Sequence, residues 1–77
     1  MKYIVFEHQH LESFVVFPEY IPHDDFAINL RGYKPVRAGF VELSNGKVYC
    51  YGESVSLKLK SGQNDSSLLN RQLGNQD

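Results

Sequence analysis

Three histidines and a pair of aspartates are the side chains best suited to chemistry in this chain. His8 and His10 are separated by one residue, and His23 is followed by Asp24 and Asp25, with Glu7 also near in sequence. If a strand ran through residue 10, His8 and His10 would lie on the same face, because side chains alternate along a strand. A His-x-His pair can chelate zinc, but a catalytic zinc needs about three protein ligands and a structural one about four. His23 or Asp24 would have to fold back to complete the set. This defines one alternative, a metal-binding small enzyme using His8, His10, His23 and Asp24. The other reading of these histidines is exposed turn and cap residues.

Other constellations are weaker. Gly52-Glu53-Ser54-Val55-Ser56 resembles a nucleophile elbow, but Ser56 stands where that motif needs glycine, and no histidine is placed beside Ser54. Gly62 and Gly74 stand apart from any phosphate-loop pattern. Arg31, Lys34, Arg37, Lys47, Lys58 and Lys60, with Tyr33, Tyr49 and Tyr51, would suit a nucleic-acid face that stacks bases and pairs phosphates. The formal net charge of −1 lacks the strongly basic balance such a face usually carries. No motif implies a cofactor.

Tyrosines and arginines are typical anchors of protein interfaces. Tyr33, Arg37, Tyr49 and Tyr51 are therefore the candidate protein-binding residues, and a strand edge would add backbone groups for pairing with another chain. Cys50 is the only cysteine, which rules out an internal disulfide and suits a reducing cytosol. Its alternating strand position marks it as a small core residue rather than a reactive thiol.

The elements that would position these residues follow from periodicity. Lys2 to His8 and Glu12 to Phe17 read as two strands joined by a turn at His8-Gln9-His10-Leu11, and Pro18 ends the second. Pro22 to Leu30 reads as a short helix. Asp24 and Asp25 would sit at its positive end, Phe26 and Leu30 on its buried face, Arg31 in its last turn and Gly32 at its left-handed cap. Lys34 to Leu59 reads as two or three antiparallel strands. Val36 to Val41 and Val48 to Tyr51 alternate around Asn45-Gly46, a dipeptide whose positive φ angles make a tight hairpin. Val55, Leu57 and Leu59 suggest a further strand after an interruption at Gly52. Asn64, Asp65 or Ser66 would cap a helix running through Leu73, with Leu68, Leu69 and Leu73 as its apolar stripe. The expected fold is α+β, with order β-β-α-β-β-(β)-α. It has one antiparallel sheet of four to five strands and two short helices mainly covering one face. Residues 1–74 would form a single domain and residues 75–77 a frayed end.

A chain of 77 residues buries only about 60% of its unfolded surface, so its core is thin and a homodimer is a reasonable expectation. No apolar run approaches the roughly 20 residues that span a bilayer, and the first apolar run is too short for a signal peptide. A membrane is not expected as a partner. Charge is segregated. Lys2 faces Glu7, Glu12, Glu19, Asp24 and Asp25 in the first third, whereas the six basic residues named above outweigh Glu42 and Glu53 in the middle. Such halves would attract each other within the fold or between copies.

Three stretches carry a family resemblance: Ala38-Gly39-Phe40-Val41, then Val48-Tyr49-Cys50-Tyr51-Gly52-Glu53-Ser54-Val55-Ser56-Leu57, then Ser61 with Asp65 and Leu68-Leu69. Together they resemble small uncharacterised proteins encoded by bacteriophages and prophages, across roughly residues 17 to 73. The resemblance implies phage origin in a bacterial host cytoplasm, and it carries no activity or functional residue with it. An accessory or host-directed inhibitory role is the expectation drawn from phage origin together with the absence of catalytic constellations and the aromatic, charge-segregated surface. The resulting expectation is a small non-enzymatic protein-binding module whose partner is a bacterial protein or a second copy. Nucleic-acid binding is a further alternative.

Overall fold

The computed structural model describes residues 1–74; the frayed end expected at residues 75–77 lies outside the described residues. Strands β1 (Lys2–His8), β2 (Leu11–Phe17), β3 (Lys34–Ser44) and β4 (Lys47–Tyr51) form an antiparallel sheet in the order β2-β1-β3-β4. Helix α1 (His23–Ala27) lies between β2 and β3 in sequence, and α2 (Asp65–Gln72) follows a two-stranded sheet of β5 (Glu53–Ser54) and β6 (Leu59–Lys60). The α+β reading of the sequence is the fold observed.

Both hairpins of the four-stranded sheet close by two-residue turns. Asn45 and Gly46 have φ of 53° and 78°, as the dipeptide requires. Gln9 and His10 adopt φ of 52° and 66° without a glycine. His10 is thereby held in a turn and not on a strand. Pro35 lies inside β3, but the register between β1 and β3 shifts at Val5/Phe6, opposite Pro35 to Arg37. A bulge is one of the few places where a strand tolerates proline.

Apolar residues alternate onto both faces of β1, and both faces are covered. Tyr3, Val5 and Val41 pack with Leu69 of α2, with Phe14, Val16 and Val48 around them. Ile4, Phe17 and Ala38 pack on the opposite side with Phe26 and Ala27 of α1, and with Leu57 and Leu59. The two helices therefore take opposite faces, not mainly one. The reason lies in Ile4 and Val5: adjacent apolar residues on a strand point opposite ways, and each needs its own cover.

Two elements are shorter than the periodicity suggests. Helix α1 ends at Ala27, after which Asn29 and Leu30 bond back three residues to Phe26 and Ala27 in tighter turns. Leu30 still reaches the core. Where a strand is expected over Val55, Leu57 and Leu59, residues 55–58 form a turn and Leu59 opens β6. Lys58 takes a φ of 58°, and its N–H bonds the Val55 carbonyl, so β5 doubles back onto β6. Leu57 and Leu59 alternate because both lean on the α1 face.

The outer edge of β4 is closed by α2. In a hairpin with a two-residue turn, hydrogen-bonded pairs alternate from the turn outward, so Val48 and Cys50 point their backbone groups away from β3. Asn70 of α2 accepts from Val48 N–H at 3.0 Å and donates to Val48 C=O at 2.9 Å, while Ser66 Oγ accepts from Cys50 N–H at 2.8 Å. Asn70 also donates to the Ser66 carbonyl. A primary amide thus stands in for the next strand. Asn70→Asp keeps the shape but turns a donor into an acceptor facing two carbonyls. It is expected to destabilise the fold by about 2 kcal/mol, the range for an unsatisfied buried group, read as a lower urea midpoint at unchanged slope.

Candidate protein interface and the polar cluster behind it

A buried carboxylate whose position in the sequence suggests only a helix cap gathers three hydrogen bonds. Asp65 begins α2 and is 1% exposed. Its Oδ2 accepts from Tyr3 Oη at 2.6 Å and from Gly62 N–H at 2.7 Å, and its Oδ1 accepts from Arg37 Nε at 2.6 Å. The other two guanidinium nitrogens of Arg37 donate to Glu12 at 2.8 and 3.0 Å. One arginine therefore joins β2, β3 and α2. Gly62 makes room for it: a Cβ there would lie 2.5 Å from Arg37 Cδ.

The electrostatics follow from this geometry. Hydrogen bonding to Arg37 holds Glu12 below the usual carboxylate range and holds Arg37 firmly charged. Burial, and then the bond to Asp65, pushes the Tyr3 phenol far up. Burial, reinforced by the Asp65 charge, pushes the Cys50 thiol up to about 11. Cys50 is protonated at neutral pH and packs as a core residue, without nucleophilic character.

The four residues expected at a protein interface are scattered. Tyr33 precedes β3 and packs against Phe6 and His8, with ring centroids 5.1 and 4.8 Å apart. Tyr49 and Tyr51 lie toward the other end of the β3–β4 pair, opposite Glu42 and Phe40, and Tyr51 stacks on Phe40. All three tyrosines keep over two-fifths of their surface exposed. Arg37 is committed to Glu12 and Asp65, so it is not a free anchor. The same pairing takes it out of the basic surface considered for nucleic acid and joins the acidic first third to the basic middle of the chain.

The metal set His8, His10, His23 and Asp24 is not assembled. His23 is buried, packs edge-on against Phe17 and Phe40, and donates from Nε2 to the Gly39 carbonyl at 2.8 Å. His8 bonds the Gly32 carbonyl and His10 occupies the exposed turn. Among the described residues, no group of three or more His, Cys, Asp or Glu side chains is gathered to hold a metal ion. Ser54 is buried, and its Oγ accepts from Leu57 N–H to close the β5–β6 turn, so it serves structure.

The sheet's remaining edge is different in kind from β4. By the same alternation, Glu12, Phe14 and Val16 of β2 point their backbone groups away from β1, and among the described residues no strand pairs with that side. The strand carries Phe14-Val15-Val16-Phe17. Its one acidic gatekeeper, Glu12, has its charge taken up by Arg37. A mainly apolar groove of about 520 Å³ lies beside Val16, lined by Met1, Val41, Leu69 and Leu73, with Glu19, Glu42 and Tyr51 also on its walls. A second hollow of about 400 Å³ lies at the strand's other end, where Phe6, His8, Leu11 and Tyr33 meet. The sequence pattern points to edge pairing in general but does not mark which edge. The missing signal was the inward face of α2, where Ser66 and Asn70 sit beside Leu69.

No protein-family model, curated protein or solved structure matches the chain. Among the described residues, no helix is long and apolar enough to cross a membrane.

Two outcomes are expected. Arg37→Met leaves Asp65 buried without its cation and is expected to cost about 3 kcal/mol, typical of removing one partner of a buried ion pair. Arg37→Lys should recover little of that, because an ammonium cannot bond Asp65 and fork onto Glu12 together. Chemical denaturation measures both. His23 gives a pH signature. Burial lowers its pKa from 6.5, so below that pH the unfolded chain takes up a proton that the folded chain refuses. Its contribution is complete above pH 6.5 and is lost as pH falls toward the folded pKa, with a slope of up to about 1.4 kcal/mol per pH unit. His23→Gln should remove that slope in melts across pH 4 to 7.

Proposed function

We propose that this chain is a small non-enzymatic protein-binding module that takes an extended segment of another polypeptide onto the open edge of β2. The observation that carries this reading is the asymmetry of the two edges. The β4 edge is sealed by Asn70 and Ser66, whereas β2 offers the N–H and C=O groups of Glu12, Phe14 and Val16. Strand addition draws affinity from those backbone groups and specificity from pockets on either face. The apolar groove beside Val16 and the hollow beside Leu11 would supply the pockets. The likeness to phage and prophage proteins makes a bacterial protein the first partner to seek, in an accessory or host-directed inhibitory role.

A photo-crosslinking residue at Ser13, on the exposed β2 surface, tests this in bacterial cells against the same residue at Tyr49. Discrete protein adducts are expected at position 13, and adding Val16→Pro, which removes one outward N–H, should abolish them. Adducts only at position 49 would move the interface to the tyrosine face. Adducts at 13 that are indifferent to the proline would refute strand addition.

A further inference from the structure

The open edge of β2 is symmetric about its own centre. Its three outward residues are Glu12, Phe14 and Val16, with Phe14 in the middle. Beyond Glu12 the strand ends at the Gln9-His10 turn, and beyond Val16 it ends at Phe17, followed by Pro18. An antiparallel partner must place its own outward residues opposite these three to satisfy every exposed group. A second copy of β2 does so in one register. Phe14 then faces Phe14 of the partner, and Glu12 and Val16 face each other twice. A register centred on Val15 would set Glu12 opposite Pro18, which has no N–H to give. One centred on Ser13 would leave Val16 facing the turn.

Side chains agree with that register. It keeps Glu12 away from its own copy, avoiding a like-charge pair across the strands. Glu12 is in any case neutralised by Arg37, which removes the usual device by which an edge strand repels its own kind. Paired residues across strands share a face, so the Phe14 rings would meet on the side covered by α2, where Phe14 and Val16 are only partly buried. Ser13 would face Val15 on the other side. The extra burial addresses the thin core of so short a chain.

We infer that two copies of this chain pair through β2 about a two-fold axis at Phe14, giving one continuous eight-stranded sheet. The inference rests on the reading of β2 as a strand-accepting edge and names its occupant as a second copy.

The test is a register-specific disulfide. Ser13 and Val15 form the non-hydrogen-bonded cross pairs of this arrangement, where Cα atoms approach to about 4.5 Å, within disulfide range. Ser13→Cys and Val15→Cys are made separately in a Cys50→Ala background, mixed, and oxidised gently. The mixed 13–15 disulfide is expected to exceed either like pair by about tenfold, since only that pair meets the distance limit. Sedimentation of the unmodified protein should show a reversible dimer, and Val16→Pro should shift it to monomer while its circular dichroism stays native.

A dominant 13–13 or 15–15 disulfide, or a protein that stays monomeric up to its solubility limit, overturns the inference. In the monomeric case the crosslinks from position 13 in cells separate the two failures. Adducts to another protein leave strand addition standing with a different occupant, and no adduct removes both.

Discussion

The buried carboxylate of Asp65 is the constraint on which the molecule's arrangement depends. A charge taken out of water is costly unless its lone pairs are met and a counter-charge is near. Asp65 obtains both from three places: the phenol of Tyr3 on the central strand, the Arg37 guanidinium on the neighbouring one, and the Gly62 amide just before its helix. These demands fix where α2 begins and how it lies. Once the helix is so placed, Leu69 falls over Tyr3, Val5 and Val41, and Ser66 and Asn70 fall against β4. Arg37 passes the constraint on to β2 through Glu12. A polar cluster thus sets the register of an apolar layer that could otherwise slide, since hydrophobic contact alone is non-directional.

The same arrangement explains the molecule's two unlike edges. The helix that Asp65 anchors can seal only the strand it lies beside. It leans on β4, and its amide and hydroxyl side chains complete that strand's hydrogen bonding. On the far side, β2 has only its own hairpin partner. The opposite face is covered by α1 and the small β5–β6 sheet, which pack over Ile4, Phe17 and Ala38. One protected edge and one open edge follow from a single helix covering part of one face.

Much of the fold was legible because it rests on local signals. Short apolar runs at residues 2–8 and 12–17 and alternation at residues 48–51 mark strands, and Asn45-Gly46 marks a hairpin through backbone sterics alone. The failures were non-local. Val55, Leu57 and Leu59 alternate like a strand, yet a positive φ at Lys58 folds the segment into a turn. Tyr3 looks like one more apolar strand residue, and Asp65 looks like a cap. Only the tertiary fold brings them within 2.6 Å. Arg37 was recognisable as significant, but its type suggested an outward anchor, whereas it turns inward because two carboxylates await it. His23 drew notice as a ligand and is instead a buried donor to the Gly39 carbonyl, a role set by packing against Phe17 and Phe40 from two different strands.

The bond between Tyr3 and Asp65 spans 62 residues, and this separation has a meaning for the order of events during synthesis. On a ribosome the β1–β2 hairpin can form early, since its contacts are local and its loop is short. The anchor for α2 does not exist until residue 65 has emerged, and the seal on β4 needs residues 66 and 70 as well. Until those residues are free to fold, the outward backbone groups of Val48 and Cys50 on β4 have no partner from α2. A chain that has made β1 to β4 can already hold the Arg37–Glu12 pair, but the half of the polar cluster that positions α2 waits for Asp65.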